Sequence, residues 1–257
     1  MSDANEADRP AKVVALVTGA SQGLGAVMAR RLAEKGCFVI VNYAHSAEKA
    51  ESVAGGIRKT GGEAVACKFD VSDEAAVQAA FAEFETRYGG VHVLVNNARV
   101  DPMSRRPGQT DGQWWDHVMG VGLRGAYLCC NEFFKYAPKR KWGRIINLSS
   151  ARAHQPNDLP NLAYSTTKLG VHCLTRAYAA YGAQFGVTVN TLAPGMILTE
   201  NLMNRLSPAD YERDTRIIAL RRPGTMDEIA DGLIFLYECG FVTGETLNIN
   251  GGQTYAA

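Results

Sequence analysis

Tyr164 and Lys168 are the residues of this chain whose types and spacing most directly suggest chemistry. They lie near the start of Ala163 to Phe185, a segment of good helix formers that ends at Gly186 and is therefore predicted to be helical. Residues four apart share one face of a helix, so the phenol and the ammonium are expected side by side. A nearby positive charge favours phenolate and lowers the pKa of a phenol from about 10. Such a pair can act as a general acid or base.

Tyr-x-x-x-Lys also occurs on the surface of helices that have no catalytic role, so the elements around the pair must show whether it is functional. Short β-branched runs alternate with helical segments. The runs are Val13 to Val17, Phe38 to Val41, Ala64 to Phe69, Val91 to Val95, Arg144 to Leu148, Val187 to Leu192 and Thr246 to Ile249. This order predicts the α/β class: a doubly wound parallel sheet, or Rossmann fold, with helices on both faces. We expect a single domain over residues 12–257, after a flexible N-terminal tail at residues 1–11.

Composition excludes several classes of function. The 257 residues carry a net charge of +1, which gives no bulk attraction to nucleic acid or to an anionic membrane. Six scattered cysteines form no Cys-x-x-Cys pair, which favours a reduced, cytoplasmic protein. The five histidines are not spaced as ligands, so no metal is expected. Apolar runs are too short to predict a membrane span.

A glycine-rich turn follows the first predicted strand and opens a helix. Its residues are Gly19, Ser21, Gln22, Gly23, Leu24 and Gly25. Glycines let the main chain approach a pyrophosphate, and the helix N-terminus supplies N–H groups and a positive dipole. A turn of this composition can also simply connect a strand to a helix without binding a ligand. Its place after the first strand of an alternating sheet favours a dinucleotide cradle.

Further motifs follow the glycine turn in a fixed order. They are Asn96-Asn97-Ala98, Ser149-Ser150, Tyr164 with Lys168, Pro194-Gly195, Val242 to Leu247 and Gly251-Gly252. Together with the turn, this series resembles the short-chain dehydrogenase/reductase family over residues 12–252, and within it members of the 3-oxoacyl-acyl-carrier-protein reductase type. Order and spacing taken together are far more specific than any one motif.

The resemblance implies three catalytic residues. Ser150 would hydrogen-bond the substrate oxygen, and Ser149 is the alternative if the register slips by one residue. Tyr164 would be the general acid. Lys168 would lower the pKa of Tyr164 and hold the nicotinamide ribose. The segment at about 196–222 would form a lid over the substrate, since it does so in relatives.

The resemblance also implies cofactor contacts at the ends of later strands. The expected residues are Asp70 and Val71 against the adenine, Asn97 and Ala98 after the fourth strand, and Pro194, Gly195, Ile197 and Thr199 beneath the nicotinamide and pyrophosphate. Tyr164 and Lys168 complete this set. Without the resemblance, Asp70 would be an ordinary helix-capping acid.

The end of the second strand bears on which nicotinamide cofactor binds. An acid there would hydrogen-bond the ribose 2′-hydroxyl of NAD, but the stretch through Tyr43 contains none. Asn42, His45 and Ser46 can donate to a 2′-phosphate. The sequence therefore predicts NADP(H), with NAD(H) still possible. Ser46 alternatively serves only as an N-cap for the next helix.

Two positions depart from the family pattern. Arg99 stands where relatives usually have glycine, so either the loop is displaced or Arg99 reaches the cleft; we assign it a structural or surface role first. Gly122 matches the position of the usual active-site asparagine, whose side chain is lost here while the backbone carbonyl is kept. A glycine inside a helix costs about 1 kcal/mol relative to alanine.

These observations predict an NAD(P)-dependent oxidoreductase that reduces a ketone or 3-oxoacyl-type carbonyl with NADPH. The small-molecule carbonyl is the expected partner. One alternative is an NAD-dependent alcohol or sugar dehydrogenase of the same fold; another is a nucleotide-binding protein with weak catalysis because of Gly122. The segment from Met226 to Cys239 and the final strand resemble the part that pairs subunits in relatives, so a homo-oligomer, a dimer or tetramer, is expected.

Overall fold

Seven parallel strands form one sheet in the order β3-β2-β1-β4-β5-β6-β7. The computed structural model describes residues 8–155, 159–204 and 206–255. The strands are β1 Val14–Val17, β2 Phe38–Tyr43, β3 Glu63–Lys68, β4 Val93–Asn96, β5 Gly143–Leu148, β6 Val187–Pro194 and β7 Thr246–Ile249. All seven expected strands are confirmed, with shifts only at their ends, where assignments commonly vary by one or two residues.

Helices connect the strands and cover both faces of the sheet. They are α1 Gly23–Glu34, α2 Ala47–Lys59, α3 Glu74–Tyr88, α4 Asp111–Met119, α5 Gly125–Arg140, α6 Leu162–Gly182, α7 Glu200–Met203, α8 Pro208–Arg216 and α9 Met226–Glu238. A π-helical turn, Gly120–Arg124, joins α4 to α5. A short 3₁₀ turn extends α6 to Phe185, and Gly186 then reverses the chain with φ +67°.

Strand β1 shows why its sequence is apolar throughout. Val14 and Leu16 pack into a core formed with α3, α5 and α6. Ala15 and Val17 pack into a second core on the opposite face, formed with α1, α2 and α9. Successive side chains of a strand point to opposite faces, so a strand covered on both sides must be apolar at every position. This is the doubly wound arrangement that the sequence predicts.

The topology also fixes where a ligand can bind. Strand β1 lies between β2 and β4, so the direction of winding reverses at its carboxyl end. Ligands of open α/β sheets bind outside the carboxyl ends of the strands at this switch point. The glycine turn after β1, Asn97 after β4 and Ser150 after β5 all lie along that edge.

The start of the described chain contacts the domain at the opposite edge of the sheet. The Arg9 guanidinium lies 5.7 Å from the ring centre of Trp142 and 5.0 Å from that of Tyr237, to whose hydroxyl it donates. Cation–π contact of this kind is stabilising. Arg9 is therefore attached, although the sequence predicts a tail through residue 11; residues 1–7 lie outside the described residues. No helix in the described parts is long and apolar enough to cross a membrane.

Candidate active site

The glycine turn has a shape that only glycine permits. Gly19 and Gly23 have φ of +61° and +57°. A Cβ on Gly19 would lie 2.9 Å from Ala98 Cα, and one on Gly25 would lie 2.6 Å from Asn97 Nδ2. Gln22, at the N-cap of α1, makes no side-chain capping bond to the first helical turn. The uncapped N-terminus and the close backbone approach fit a dinucleotide pyrophosphate.

Two side chains hold this turn against β4. The Thr18 hydroxyl accepts hydrogen bonds from the backbone N–H groups of Asn97 and Ala98, both at 3.0 Å. Asn97 Nδ2 donates to the carbonyls of Thr18, at 2.8 Å, and Gly19, at 3.0 Å. Asn97 therefore shapes the cradle with its side chain. Thr18 is a supporting residue that our sequence prediction did not single out.

Asn42 has a different role from the one that the sequence predicts. Its side chain is buried, its Oδ1 accepts from Gly19 N at 3.0 Å, and its Nδ2 donates to the Phe69 carbonyl at 3.0 Å. Both ends of the amide are thus committed to backbone groups. The prediction that Asn42 donates to a phosphate is wrong, because that donor already satisfies a buried carbonyl; Asn42 positions Gly19 instead.

The surface beyond β2 carries the polar groups that remain available. Tyr43 is half-buried and His45 is exposed. Ser46 stands at the N-cap of α2 but makes no side-chain capping bond, so capping does not occupy its hydroxyl. Lys49, one turn into α2, donates to Gln22 Oε1 at 2.8 Å. This contact brings a cation beside the glycine turn. The sequence analysis did not single out Lys49, although it lies in the first turn of the helix that follows β2.

Asp70 and Val71 form a tight turn after β3. Asp70 Oδ1 accepts from the backbone N–H and the hydroxyl of Ser72, both at 2.8 Å. Val71 is buried, and its Cγ2 lies 2.7 Å from the point where a Cβ on Gly125 would stand. Val71 is therefore largely a packing residue beneath α5. The half-buried Asp70 remains at the edge of the cradle.

The two serines after β5 have separate roles. Ser149 is buried; its hydroxyl donates to the Lys168 carbonyl at 2.9 Å and lies 2.7 Å from His172 Nε2. Ser150 is half-buried, and among the described residues its hydroxyl accepts a single long bond, of 3.3 Å, from Arg152 N. Since the interior uses the Ser149 hydroxyl, Ser150 is the serine available to a ligand.

Helix α6 brings Tyr164 and Lys168 together next to these serines. The Lys168 Nζ lies 5.7 Å from the Tyr164 ring centre and donates to the Leu148 carbonyl, at the end of β5, at 2.6 Å. Lys168 is 2% exposed. Burial, and then the positive charge of Arg99, lower its pKa to about 7. The ammonium thus lies at a strand end two residues before Ser150 and beside the half-buried phenol.

A buried polar ladder fixes α6 to the sheet. Asn96 Nδ2 donates to Asn147 Oδ1 at 2.8 Å, and Asn147 Nδ2 donates to Thr175 Oγ1 at 2.9 Å. Thr175 and Thr191 hydroxyls lie 2.7 Å apart. The ladder links β4, β5, α6 and β6, so it helps to hold Lys168 in position. We did not predict it, although asparagines within apolar strands are a visible signal for such networks.

The π-helical turn contains Gly122, and Thr167 of α6 packs directly against it. Thr167 Cγ2 lies 2.5 Å from the point where a Cβ on Gly122 would stand. The Thr167 hydroxyl donates to Met119 Sδ at 3.1 Å. π-Helical turns recur at functional sites. Here the turn lies against the helix that carries Tyr164 and Lys168.

The segment after β6 begins with close backbone packing. Pro194 ends β6, and a Cβ on Gly195 would lie 2.7 Å from Asn250 Cα. Ile197 forms a parallel bridge with Gly224, and Thr199 Oγ1 accepts from Leu202 N at 3.3 Å. Helices α7 and α8 follow, and between them is an apolar cleft of about 240 Å³ lined by Leu198, Met203, Leu206, Ser207, Pro208 and Tyr211.

Comparison with known proteins identifies the family. The model of the short chain dehydrogenase family matches residues 13–210. The chain is a short-chain dehydrogenase/reductase. This short-chain dehydrogenase/reductase is 38% identical over 244 residues to the 3-oxoacyl-[acyl-carrier-protein] reductase FabG of Staphylococcus aureus, an alignment that covers 93% of this chain and 97% of the relative. It is 34% identical to a short-chain type dehydrogenase/reductase of Picea abies, with 93% and 92% covered.

Solved structures with the same fold include enzymes named for a different activity. A gluconate 5-dehydrogenase from Burkholderia cenocepacia, in complex with NADP and tartrate, superposes with a TM-score of 0.84 at 33% identity over 99% of this chain and 100% of the other. A putative gluconate dehydrogenase from Agrobacterium tumefaciens gives a TM-score of 0.86 at 30% identity, with 94% and 95% covered. This short-chain dehydrogenase/reductase is an NAD(P)-dependent oxidoreductase. Within its described residues, no group of His, Cys, Asp or Glu is arranged to hold a metal ion.

Proposed function

We propose that this enzyme reduces a ketone or 3-oxoacyl-type carbonyl with NADPH, and that Tyr164 protonates the carbonyl oxygen. One observation carries the proposal: the buried Lys168 ammonium lies beside the Tyr164 ring and is hydrogen-bonded at the strand end that Ser150 follows. The proposed acid, the cation and the proposed hydroxyl donor therefore all belong to the carboxyl edge of the sheet. This is where ligands of such folds bind.

The site residues divide the work of proton transfer. The positive charge of Lys168 favours phenolate and so makes the Tyr164 phenol a stronger acid. Ser150 donates a hydrogen bond to the substrate oxygen as negative charge develops on it; donors of this kind are worth about 2.7 to 4 kcal/mol in known sites. Lys168 also holds the nicotinamide ribose. In the reverse direction, Tyr164 accepts the proton that an alcohol loses.

The glycine turn supports a nicotinamide dinucleotide, since Gly19 and Gly25 allow the turn to pack tightly against Asn97 and Ala98, as such a cradle requires. When bound, this cofactor supplies the hydride for the carbonyl carbon. Around it we place Ser21, Leu24, Asp70, Ala98, and the turn from Pro194 to Thr199.

The phosphorylated cofactor, NADP(H), is our choice over NAD(H). No acid follows β2 that would bind a free 2′-hydroxyl and repel a 2′-phosphate. His45 and Ser46 follow β2 with donors that are uncommitted among the described residues, and Lys49 contacts Gln22 of the glycine turn, so this side can supply donors for a 2′-phosphate. A gluconate 5-dehydrogenase of the same fold was solved in complex with NADP, which agrees with this choice.

The relatives support two candidate substrate classes for this enzyme. The reductases named FabG support a 3-oxoacyl thioester, and the apolar cleft between α7 and α8 suits an acyl chain. The gluconate dehydrogenases among the solved structures support a sugar or sugar-acid alcohol, oxidised with NAD or NADP. We place the carbonyl reductase first because the end of β2 favours NADPH, the cofactor usually consumed in reductions.

The test is consumption of NADPH and NADH by purified protein against ketones, 3-oxoacyl thioesters and sugar acids, with the reverse reactions on the matching alcohols. NADPH-linked reduction of at least one carbonyl class supports the proposal. Oxidation of alcohols with NAD alone would favour the dehydrogenase alternative. Binding of either cofactor without turnover of any compound would favour a nucleotide-binding protein with weak catalysis.

We also propose that the enzyme is a homo-oligomer, a dimer or tetramer. Phe235 on α9 is half exposed and Phe241, between α9 and β7, is fully exposed. Two aromatic side chains near one end of the sheet are costly to leave in water and suit a contact with a second copy. Light scattering of the native chain and of Phe241→Ser tests this; a native monomer would contradict it.

A further inference from the structure

We propose that Arg99 binds a carboxylate of the substrate, so that the preferred substrate is an oxo acid, or the matching hydroxy acid, in place of a neutral ketone. The inference rests on the proposed function and deepens it. Arg99 would be a binding residue that selects the substrate. The argument begins with where its backbone is fixed.

The backbone of Arg99 is anchored on both sides. On one side, the N–H groups of Asn97 and Ala98 are bonded to the Thr18 hydroxyl at 3.0 Å, which ties the chain to the glycine turn. On the other, Val100 is buried in a cluster with Trp114, Val118 and Ala163, against which Tyr164 packs. The backbone of Arg99 therefore runs from the dinucleotide cradle to the cluster that packs against the proposed general acid.

The Arg99 side chain is exposed and has no hydrogen bond or ion pair to another described residue. Its charge nevertheless acts on Lys168, because it contributes to the lowered pKa of that buried ammonium. The two cations are therefore close enough to interact, and no carboxylate of the described chain pairs with either. A guanidinium pairs well with a carboxylate because it offers two parallel N–H donors.

The substrate is a better source of the anion than the cofactor. The pyrophosphate belongs at the glycine turn and the N-terminus of α1. The charge of Arg99 acts instead on Lys168, and its neighbour Val100 belongs to the cluster against which Tyr164 packs. A carboxylate bound there would offset the charge of Arg99 and favour the protonated form of Lys168. Binding of the acid would thereby help to create the charge state that the reaction uses.

The experiment compares oxo acids of three to six carbons with their methyl esters, which keep the carbon skeleton and remove the charge. Turnover is measured with NADPH for the native enzyme, Arg99→Gln and Arg99→Lys. Binding is measured as the change in Tm of the NADP-loaded protein. Arg30→Gln is the control, since Arg30 is an exposed arginine of α1 outside the cleft. The dissociation constant of NADPH is measured for each variant.

We expect the native enzyme to prefer acid to ester. At a pH well below the pKa of Lys168, Arg99→Gln should lower kcat/KM for the acid roughly 10- to 100-fold, the range for losing a charge-assisted hydrogen bond, while kcat/KM for the ester and the NADPH dissociation constant stay within about twofold. Arg99→Lys should retain part of the preference, and Arg30→Gln all of it.

Three results would overturn the inference. The first is an equal loss of kcat/KM for acid and ester in Arg99→Gln. The second is a loss confined to NADPH binding, which would assign Arg99 to the cofactor. The third is that no acid turns over or raises the Tm of the native enzyme. A failure of the proposed function is distinguishable, because it would appear as unchanged turnover in Tyr164→Phe whatever the effect of Arg99.

Discussion

Thr167 occupies the space that a side chain at position 122 would need, with its Cγ2 only 2.5 Å from the site of a Cβ on Gly122. No heavy-atom contact of that length is tolerated, so the two residues are coupled. The glycine that replaces the family's usual asparagine is therefore matched to a threonine on α6, the helix that carries Tyr164 and Lys168. The absence of a side chain at position 122 is required by the packing of Thr167, so it is not by itself a sign of an impaired site.

Gly122→Asn should consequently destabilise the protein. Overpacking of this kind costs about 1 to 3 kcal/mol. In the double variant Gly122→Asn with Thr167→Ala the clash is relieved, so the free energy of unfolding, measured in urea, should recover by more than independent effects allow. Gly120→Ala is the matched control, because its Cβ would meet only Ser72 Cβ, at 4.0 Å. Additive effects of the two substitutions would show that the pair is not coupled.

Arg99 should set the alkaline limit of carbonyl reduction. The pKa of Lys168 is about 7, and its protonated form is the one that favours the Tyr164 phenolate, so activity should fall as pH rises through that value. Arg99→Gln removes a like charge and should move the fall to higher pH.

Titration of the nearby His172 does not contribute to this alkaline fall in activity. Burial, followed by the charges of His154, Arg176 and Lys168, lowers its pKa to about 4, so it is neutral throughout the alkaline range. The measurement is kcat against pH with a neutral methyl ester as substrate. An unchanged alkaline limit in Arg99→Gln would contradict the electrostatic link between Arg99 and Lys168.

Thr175→Val should lower the stability of the domain by about 1 to 3 kcal/mol, because it leaves the buried Asn147 Nδ2 without its acceptor. Thr188→Val is a stringent control. Thr188, on β6, is buried like Thr175, but its hydroxyl has no hydrogen-bond partner among the described residues. That substitution should be neutral or stabilising. Equal losses in the two variants, measured by urea unfolding, would argue against a specific role for the ladder.

Lys49→Gln should weaken NADPH binding roughly tenfold and leave NADH binding nearly unchanged, since only the former carries a 2′-phosphate for the lysine to pair with. Fluorescence titration with each cofactor measures both constants. Lys59→Gln, at the far end of the same helix, removes the same charge without the contact to Gln22 and serves as control. Similar losses for both cofactors would mean that Lys49 only braces the glycine turn.

Much of the fold follows from periodicity and order along the chain. Alternating apolar runs and helical segments predict the parallel sheet, and the positions of Gly19, Gly23 and Gly25 predict the cradle, because backbone geometry there excludes other residues. What sequence cannot supply is the partner of each polar group. Asn42 has the right type and place for a phosphate donor, yet its amide satisfies buried backbone groups of two other segments.

The same limit applies within the site. The choice between Ser149 and Ser150 depends on which hydroxyl the interior consumes, and Lys49 becomes relevant only through its contact with Gln22. Thr167 and Gly122 are far apart in sequence, so their coupling is visible only once α6 packs against the π-helical turn. Long-range packing of this kind has no signature in a single sequence.

The most direct test of the account is turnover by Tyr164→Phe against Tyr181→Phe, an exposed tyrosine of the same helix. With a carbonyl substrate and NADPH, loss of a general acid should lower kcat by roughly 100- to 10,000-fold while NADPH still binds, and Tyr181→Phe should behave as native. If Tyr164→Phe retained native turnover, the assignment of the proton donor, and with it the proposed mechanism, would be wrong.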